Sequence, residues 1–182
     1  MAGLVGSEMC IRDRFKGVRV LELTSTVSGR FAGMMLADQG AEVIKIEPPG
    51  IGDLARFMGT IKDGMGAMFS TLNRNKKCIC LDFKNEEDLS ILMELVSTAD
   101  VLIENYRPGI VKKLGIDYEA LKKIKPDLIY CSISGYGQSG PYKEKKVYDP
   151  LIQGTVGIPH AQNGEFPELI RTIIYDKVTG LT

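Results

Sequence analysis

One histidine, no second cysteine pair and no excess of either charge sign mark this 182-residue sequence. Lysine plus arginine and aspartate plus glutamate both number 23, so no global field favours nucleic acid or an anionic membrane. No apolar run is long enough to span a bilayer, and no charged-then-apolar leader opens the chain. The cysteines are Cys10, Cys78, Cys80 and Cys131, and with a lone His160 they make a poor zinc set. Cys78 and Cys80 alternate with Ile79 and Leu81, which puts both thiols on one strand face. The expectation is small buried or reduced thiols in a soluble, cytoplasmic protein with no metal. Nucleotide fingerprints are missing as well. "TSTVSGRFAG" has glycines only at 29 and 33, and neither a P-loop nor a G-x-S-x-G elbow is present. His160 lies in the polar stretch "GIPHAQNGE" and reads as a surface residue rather than a catalytic base.

What is present is an alternation of short apolar runs and amphipathic segments, at a length that suits one domain. Strands are expected at 18–23, 42–47, 77–83, 101–104 and 128–134, with the direction of 77–83 open because a long loop precedes it. Helices are expected at 30–39, 86–98 and 118–125. The helix over 86–98 has Asn85 as its cap, acids in its first turn and Leu89, Leu92, Met93 and Val96 as its apolar stripe. Strand, short helix, strand within 18–47 is a βαβ unit, and the whole pattern predicts an α/β fold with a Rossmann-like open parallel sheet. Residues 50–75 read as irregular chain with a short helix. Near the C-terminus, Ile173 and Ile174 read as the end of a buried strand that meets Asp176 at the start of a helix.

Residues 1–14, "MAGLVGSEMCIRDR", show neither period, and "MCIRDR" resembles the translated mosaic end of a sequencing-library transposon. They are expected to be foreign to the fold and to pack against nothing, leaving 15–182 as the folded unit.

In an open parallel sheet, ligands sit beyond the C-terminal ends of the strands. That places "TSTVSG", "ENYRPG" and "SGYGQSGP" together. Basic side chains beside open backbone suit phosphates: Arg74, Lys76 and Lys77 in "LNRNKK", and Arg107, Lys112 and Lys113 in "ENYRPGIVKKLG". A solvated basic rim is the plainer reading of the same residues. Tyr136 and Tyr142 could lie along an apolar or adenine surface.

Seven segments in order carry a resemblance: "GVRVLEL", "LADQGAEVIKIEPPGIGD", "LNRNKK", "DVLIENYRPGIVKKLGIDYEALK", "LIYCSISGYGQSGPY", "YDP" and "DKVTGLT". Together they resemble the N-terminal part of a class III CoA-transferase of the formyl-CoA/carnitine (CaiB/BaiF) type, a family that also includes the α-methylacyl-CoA racemases. The resemblance implies that Asp176 is a nucleophile, forming an aspartyl-acyl anhydride and then an aspartyl-CoA thioester. From the pattern alone, Asp176 is a plain helix cap. It further assigns Leu72, Asn73, Arg74, Asn75, Asn105, Arg107 and Lys113 to a CoA cleft, with Gly135 and Tyr136 near its pantetheine end. Lys113 stands where some relatives carry arginine, which keeps the charge and loses the bidentate fork. CoA thioester enters as substrate with a carboxylic acid as acceptor, and no cofactor is held permanently. No nucleic acid or membrane partner is implied.

The racemase branch carries histidine where this chain has Tyr148, so transfer is favoured over racemisation. Asp149, next to it, reads as a structural tie for its loop. A non-catalytic CoA-binding α/β module is the third reading. The resemblance also implies a longer parent chain, truncated here, whose whole form is an interlocked homodimer.

Overall fold

The computed structural model describes residues 13–162 and 164–182. The expectation for residues 1–14 therefore falls almost wholly outside the described residues. Asp13 and Arg14 alone are seen, both exposed in a turn.

The first unit is β1 (Arg19–Leu23), α1 (Ser28–Asp38) and β2 (Glu42–Glu47). A 3-10 turn (Leu54–Phe57), an antiparallel pair β3 (Ile61–Lys62) and β4 (Met65–Gly66), and α2 (Ala67–Leu72) follow. Then come β5 (Lys76–Cys80), α3 (Glu86–Ser97), β6 (Val101–Glu104), α4 (Ile110–Lys113), α5 (Tyr118–Leu121) and β7 (Ile129–Ser132). The chain ends through α6 (Asp149–Thr155), α7 (Ile158–Ala161) and α8 (Ile174–Leu181).

The five main strands form one sheet in the order β5-β2-β1-β6-β7, and every neighbouring pair is parallel. That settles the direction of β5. The order reverses at β1, so the chain winds outward from the centre in both directions, as in a doubly wound sheet. Side chains of β1 alternate between the two faces. Leu21 and Leu23 pack with Leu92 and Val96 of α3 and with Leu102, Ile116 and Leu121. Val20 packs on the other face with Ala37 of α1, Val43 and Ile103. On α3, Asn85 Oδ1 accepts the Glu87 N–H at 2.8 Å, which is the expected cap. The helix expected over 118–125 is regular only through Leu121 and continues as hydrogen-bonded turns to Lys125, before Pro126.

The described thiols Cys78, Cys80 and Cys131 are free, but they are exposed rather than buried, because β5 and β7 are the sheet edges. No strand precedes α8 among the described residues; the chain reaches it as irregular backbone. α8 then packs directly on α1. A Cβ on Gly180 would lie 2.7 Å from the Ser28 carbonyl oxygen and 2.9 Å from Phe31 Cδ1, so this crossing requires glycine.

The α1 face of the sheet also buries charge. Glu22 of β1 lies opposite Lys45 of β2. Lys45 Nζ is 3.2 Å from Glu22 Oε1 and 3.0 Å from Asp53 Oδ2, and Lys76 Nζ is 2.6 Å from Glu22 Oε2. Arg30 of α1 pairs with Asp53, and Arg56 forks onto Glu47 at 2.8 and 2.9 Å. The side chains of Glu22, Lys45, Lys76 and Arg30 are fully buried. Removing one partner from such a set leaves its counterpart unpaired out of water, at a cost of about 3–5 kcal/mol. Glu22→Gln removes the charge shared by Lys45 and Lys76 and is expected to lose stability in that range. Urea denaturation measures it, and a loss near that of a surface ion pair, below about 1 kcal/mol, would mean the network carries little of the fold.

Candidate active site

The β1–β6 ladder ends at Leu23 and Glu104, and a cleft of about 420 Å³ lies where the two chains continue as loops. Its walls come from three places: the loop after β1 (Ser25, Thr26, Ser28), the loop after β6 (Asn105, Tyr106, Arg107), and the chain from Ile133 through α6 to α8. Gly135 and Val147 are pressed together in the last wall. A Cβ on Gly135 would lie 1.8 Å from Val147 Cγ1.

Asp176 enters the cleft from the first turn of α8. The residue before that helix, Ile173, offers no side-chain cap. The cap arrives from α6 instead: Asp149 Oδ1 accepts the backbone N–H groups of Tyr175 at 2.6 Å and Asp176 at 3.1 Å. These are two of the four N–H groups that a helix start leaves without an internal partner. Asp149 is buried, and its Oδ2 accepts from Gln153 Nε2 at 2.6 Å. Gln153 then holds the approach to α8. Its Oε1 accepts the Ile170 N–H at 2.8 Å and its Nε2 donates to the Thr172 carbonyl at 3.1 Å. One buried amide thus substitutes for the strand pairing that the sequence pattern had implied.

Two acids, Asp149 and Asp176, consequently share one helix start. Burial, first, and the neighbouring Asp149, second, push the Asp176 carboxyl above its ordinary value. Cations share the cleft lining with them. Arg107, Lys143, Lys145 and Lys146 all line it. Lys145 Nζ lies 3.8 Å over the Tyr142 ring.

Of the residues expected in a ligand cleft, Asp176, Asn105, Arg107 and Gly135 are brought together. The Asn105 amide is already engaged: Oδ1 accepts the Ser25 N–H at 2.8 Å and Nδ2 donates to the Ser25 carbonyl at 2.7 Å. Tyr136, beside Gly135, stands edge-on to Tyr142 with ring centroids 5.7 Å apart and does not line the cleft. Lys113 is exposed at the end of α4 and also lies outside the lining. Leu72, Asn73, Arg74 and Asn75 precede β5 and do not line the cleft. Arg74 pairs with Asp38, Asn75 Nδ2 donates to Asp38 Oδ1 at 2.8 Å, and Asn73 Nδ2 donates to the Phe69 carbonyl at 3.0 Å. Leu72 is half-buried beside them. His160 is exposed on α7.

Sequence reading missed the three cleft lysines, whose signal was the run "KEKK" over 143–146. It also missed Gln153. Its signal was a side chain four residues after Asp149, one helical turn on.

Residues 15–182 match the profile of CoA-transferase family III. The sequence is 46% identical over 154 residues to an acetyl-CoA:oxalate CoA-transferase of Acetobacter aceti, covering 85% of this chain and 39% of that one. It is 40% identical over 169 residues to a succinyl-CoA:glutarate CoA-transferase of Homo sapiens, covering 91% of this chain and 39% of that one. A crystal structure of a CAIB/BAIF family protein from Brucella suis superposes with a TM-score of 0.86 at 41% identity, over 93% of this chain and 47% of that one. The chain therefore spans about two fifths of the curated relatives it matches.

The raised Asp176 carboxyl has a pH signature. A carboxyl that holds its proton more tightly folded than unfolded stabilises the fold at low pH. That contribution is lost as pH rises from the unfolded value towards the folded one. Asp176→Asn should therefore raise the urea midpoint at neutral pH and leave it unchanged well below 3.8, the ordinary value. An equal gain at both pH values would assign the effect to packing rather than charge.

Proposed function

The chain belongs to CoA-transferase family III, and from that premise we propose that the full-length protein moves CoA between carboxylic acids with Asp176 as its nucleophile. The observation that carries the reading is a half-buried carboxylate at a helix start, set in a cleft with four cations and no histidine.

The chemistry suits such a site. An Asp176 oxygen attacks the thioester carbonyl of the donor, the C–S bond breaks, and CoA leaves as thiolate. The product is a mixed anhydride. The thiolate attacks the Asp176 carbonyl of that anhydride and releases the donor acid as carboxylate, leaving an aspartyl-CoA thioester. The acceptor carboxylate attacks this thioester, thiolate leaves again, and its return to the acceptor acyl carbon regenerates free Asp176. Every nucleophile and leaving group in the cycle is a carboxylate or a thiolate. No proton must be moved, so a general acid or base is not required. What the site must supply is stabilisation of negative charge, and preorganised N–H groups and cations do that.

Asp149 contributes by holding the α8 start through the Tyr175 and Asp176 N–H groups. Arg107 and the 143–146 lysines are assigned to the anionic parts of CoA and of the acids. The relatives named above act on oxalate and glutarate by name, both dicarboxylates. The lysine-bearing wall supports the same class here, since a second carboxylate needs a cation. The four residues 72–75 and Lys113 would touch CoA only where it runs beyond this cleft. Tyr148 is 68% exposed in the cleft lining, where a racemase would need a proton-transfer partner.

Hydroxylamine added with acyl-CoA should convert Asp176 to a hydroxamate in the full-length enzyme. Asp176→Ala should lower kcat by several orders of magnitude while CoA affinity changes only about two- to threefold, because it removes a covalent route and not a binding contact. Near-normal turnover in that variant would remove Asp176 from the chemistry. Exchange of the substrate α-proton in deuterated water, with no acceptor acid, would point to the racemase reading instead.

A further inference from the structure

The paired hydrogen bonds between Asn105 and Ser25 cross the place where the sheet opens. The β1–β6 ladder ends at Leu23 and Glu104. One residue later, the Asn105 side-chain amide offers Ser25 the same acceptor and donor that a neighbouring strand would offer, at 2.8 and 2.7 Å. The ladder is thereby extended by a side chain into the base of the cleft. Both ends of this staple are braced. On the β6 side, buried Glu104 accepts the Tyr106 N–H at 2.7 Å through Oε2. On the β1 side, buried Lys45 donates to the Thr24 carbonyl at 2.9 Å.

The residue after Ser25 is Thr26, which lines the cleft with φ at 64°. A β-branched residue adopts that left-handed conformation only when its surroundings impose it. Fixing the Ser25 carbonyl fixes the plane of the peptide that follows, and with it the direction of the Thr26 N–H. The loop from Ser25 to Ser28 then leads into α1 with its backbone orientation already set.

We propose that Asn105 is a positioning residue: it holds the Ser25–Ser28 loop in the conformation that receives the acyl-CoA, rather than contacting the ester through its own amide. The proposal rests on the transferase reading for its substrate, but the staple itself can be measured without substrate.

The test uses the full-length enzyme with Asn105→Ala and Asn105→Asp. The aspartate keeps the acceptor for the Ser25 N–H but sets a carboxylate oxygen against the Ser25 carbonyl. In ligand-free protein, hydrogen-exchange protection of the Ser25–Ser28 amides should fall by roughly tenfold or more in Asn105→Ala, which loses both hydrogen bonds, and by less in Asn105→Asp, which keeps the acceptor. KM for acyl-CoA should rise by about the same factor while kcat falls less, since the loop's cost is met on binding. Asn85→Ala serves as the control. It removes the cap of α3, remote from the cleft, and should lower stability without moving KM.

A raised KM with unchanged protection would mean that Asn105 touches the ligand directly, and the proposal would fall. Lost protection with unchanged KM would overturn it equally, since the loop would then not serve the substrate. If the wild-type enzyme transfers no CoA at all, the functional reading fails, and the exchange measurement still decides whether the staple exists.

Discussion

Glu22 is the point on which the upper half of this molecule depends. It sits at the centre of a parallel sheet where an apolar residue would be ordinary, and its two oxygens are divided between Lys45 and Lys76. Thr24 Oγ1 adds a third bond at 2.9 Å. Through these contacts one carboxylate ties β1 to β2 and β5. It also fixes the start of the loop that becomes a cleft wall. Burying charge is costly in itself, and an apolar core of the same volume would be at least as stable. Such a network instead specifies geometry, because each partner has few alternatives that leave no charge unpaired. The loop after β1 thus starts from a fixed point, which a ligand-binding loop needs.

A second constraint acts at the other wall. Asp176 depends on a helix whose first turn is completed by Asp149, 27 residues earlier in the chain. Both carboxylates draw on the same N-terminal dipole. Burial, and then the nearby Asp149, disfavour the ionised form of Asp176. Lys143, Lys145, Lys146 and Arg107 line the same cleft and offset the negative charge of the two acids.

The sheet was legible because each strand is a short, mostly apolar run and the breaks between them carry glycine, proline or an amide. Asn85 marked the start of α3 because a cap acts through residues two positions away. What escaped reading depends on partners distant in sequence. Glu22 and Lys45 look like blemishes in apolar runs until β2 is laid beside β1. Asp149 was read as a tie for its own loop, whereas it also completes α8. The irregular approach to α8 looked like a strand because Ile173 and Ile174 are apolar, but pairing there is done by Gln153. The resemblance assigned Leu72–Asn75 to a CoA cleft; in the fold Arg74 and Asn75 pair with Asp38, and Asn73 bonds to the Phe69 carbonyl and to Lys76.

The attachment of α8 has a consequence for how the molecule comes apart. The five strands share ladders and two apolar layers, so they form one cooperative unit. α8 is joined to that unit through α6, whose Asp149 accepts two N–H groups of its first turn, and through close packing along α1 that tightens at Gly180. A helix seated on two other helices is expected to open together with them rather than alone. The orientation of Asp176 therefore follows α1 and α6, and a change at their contact with α8 would be felt at its carboxyl.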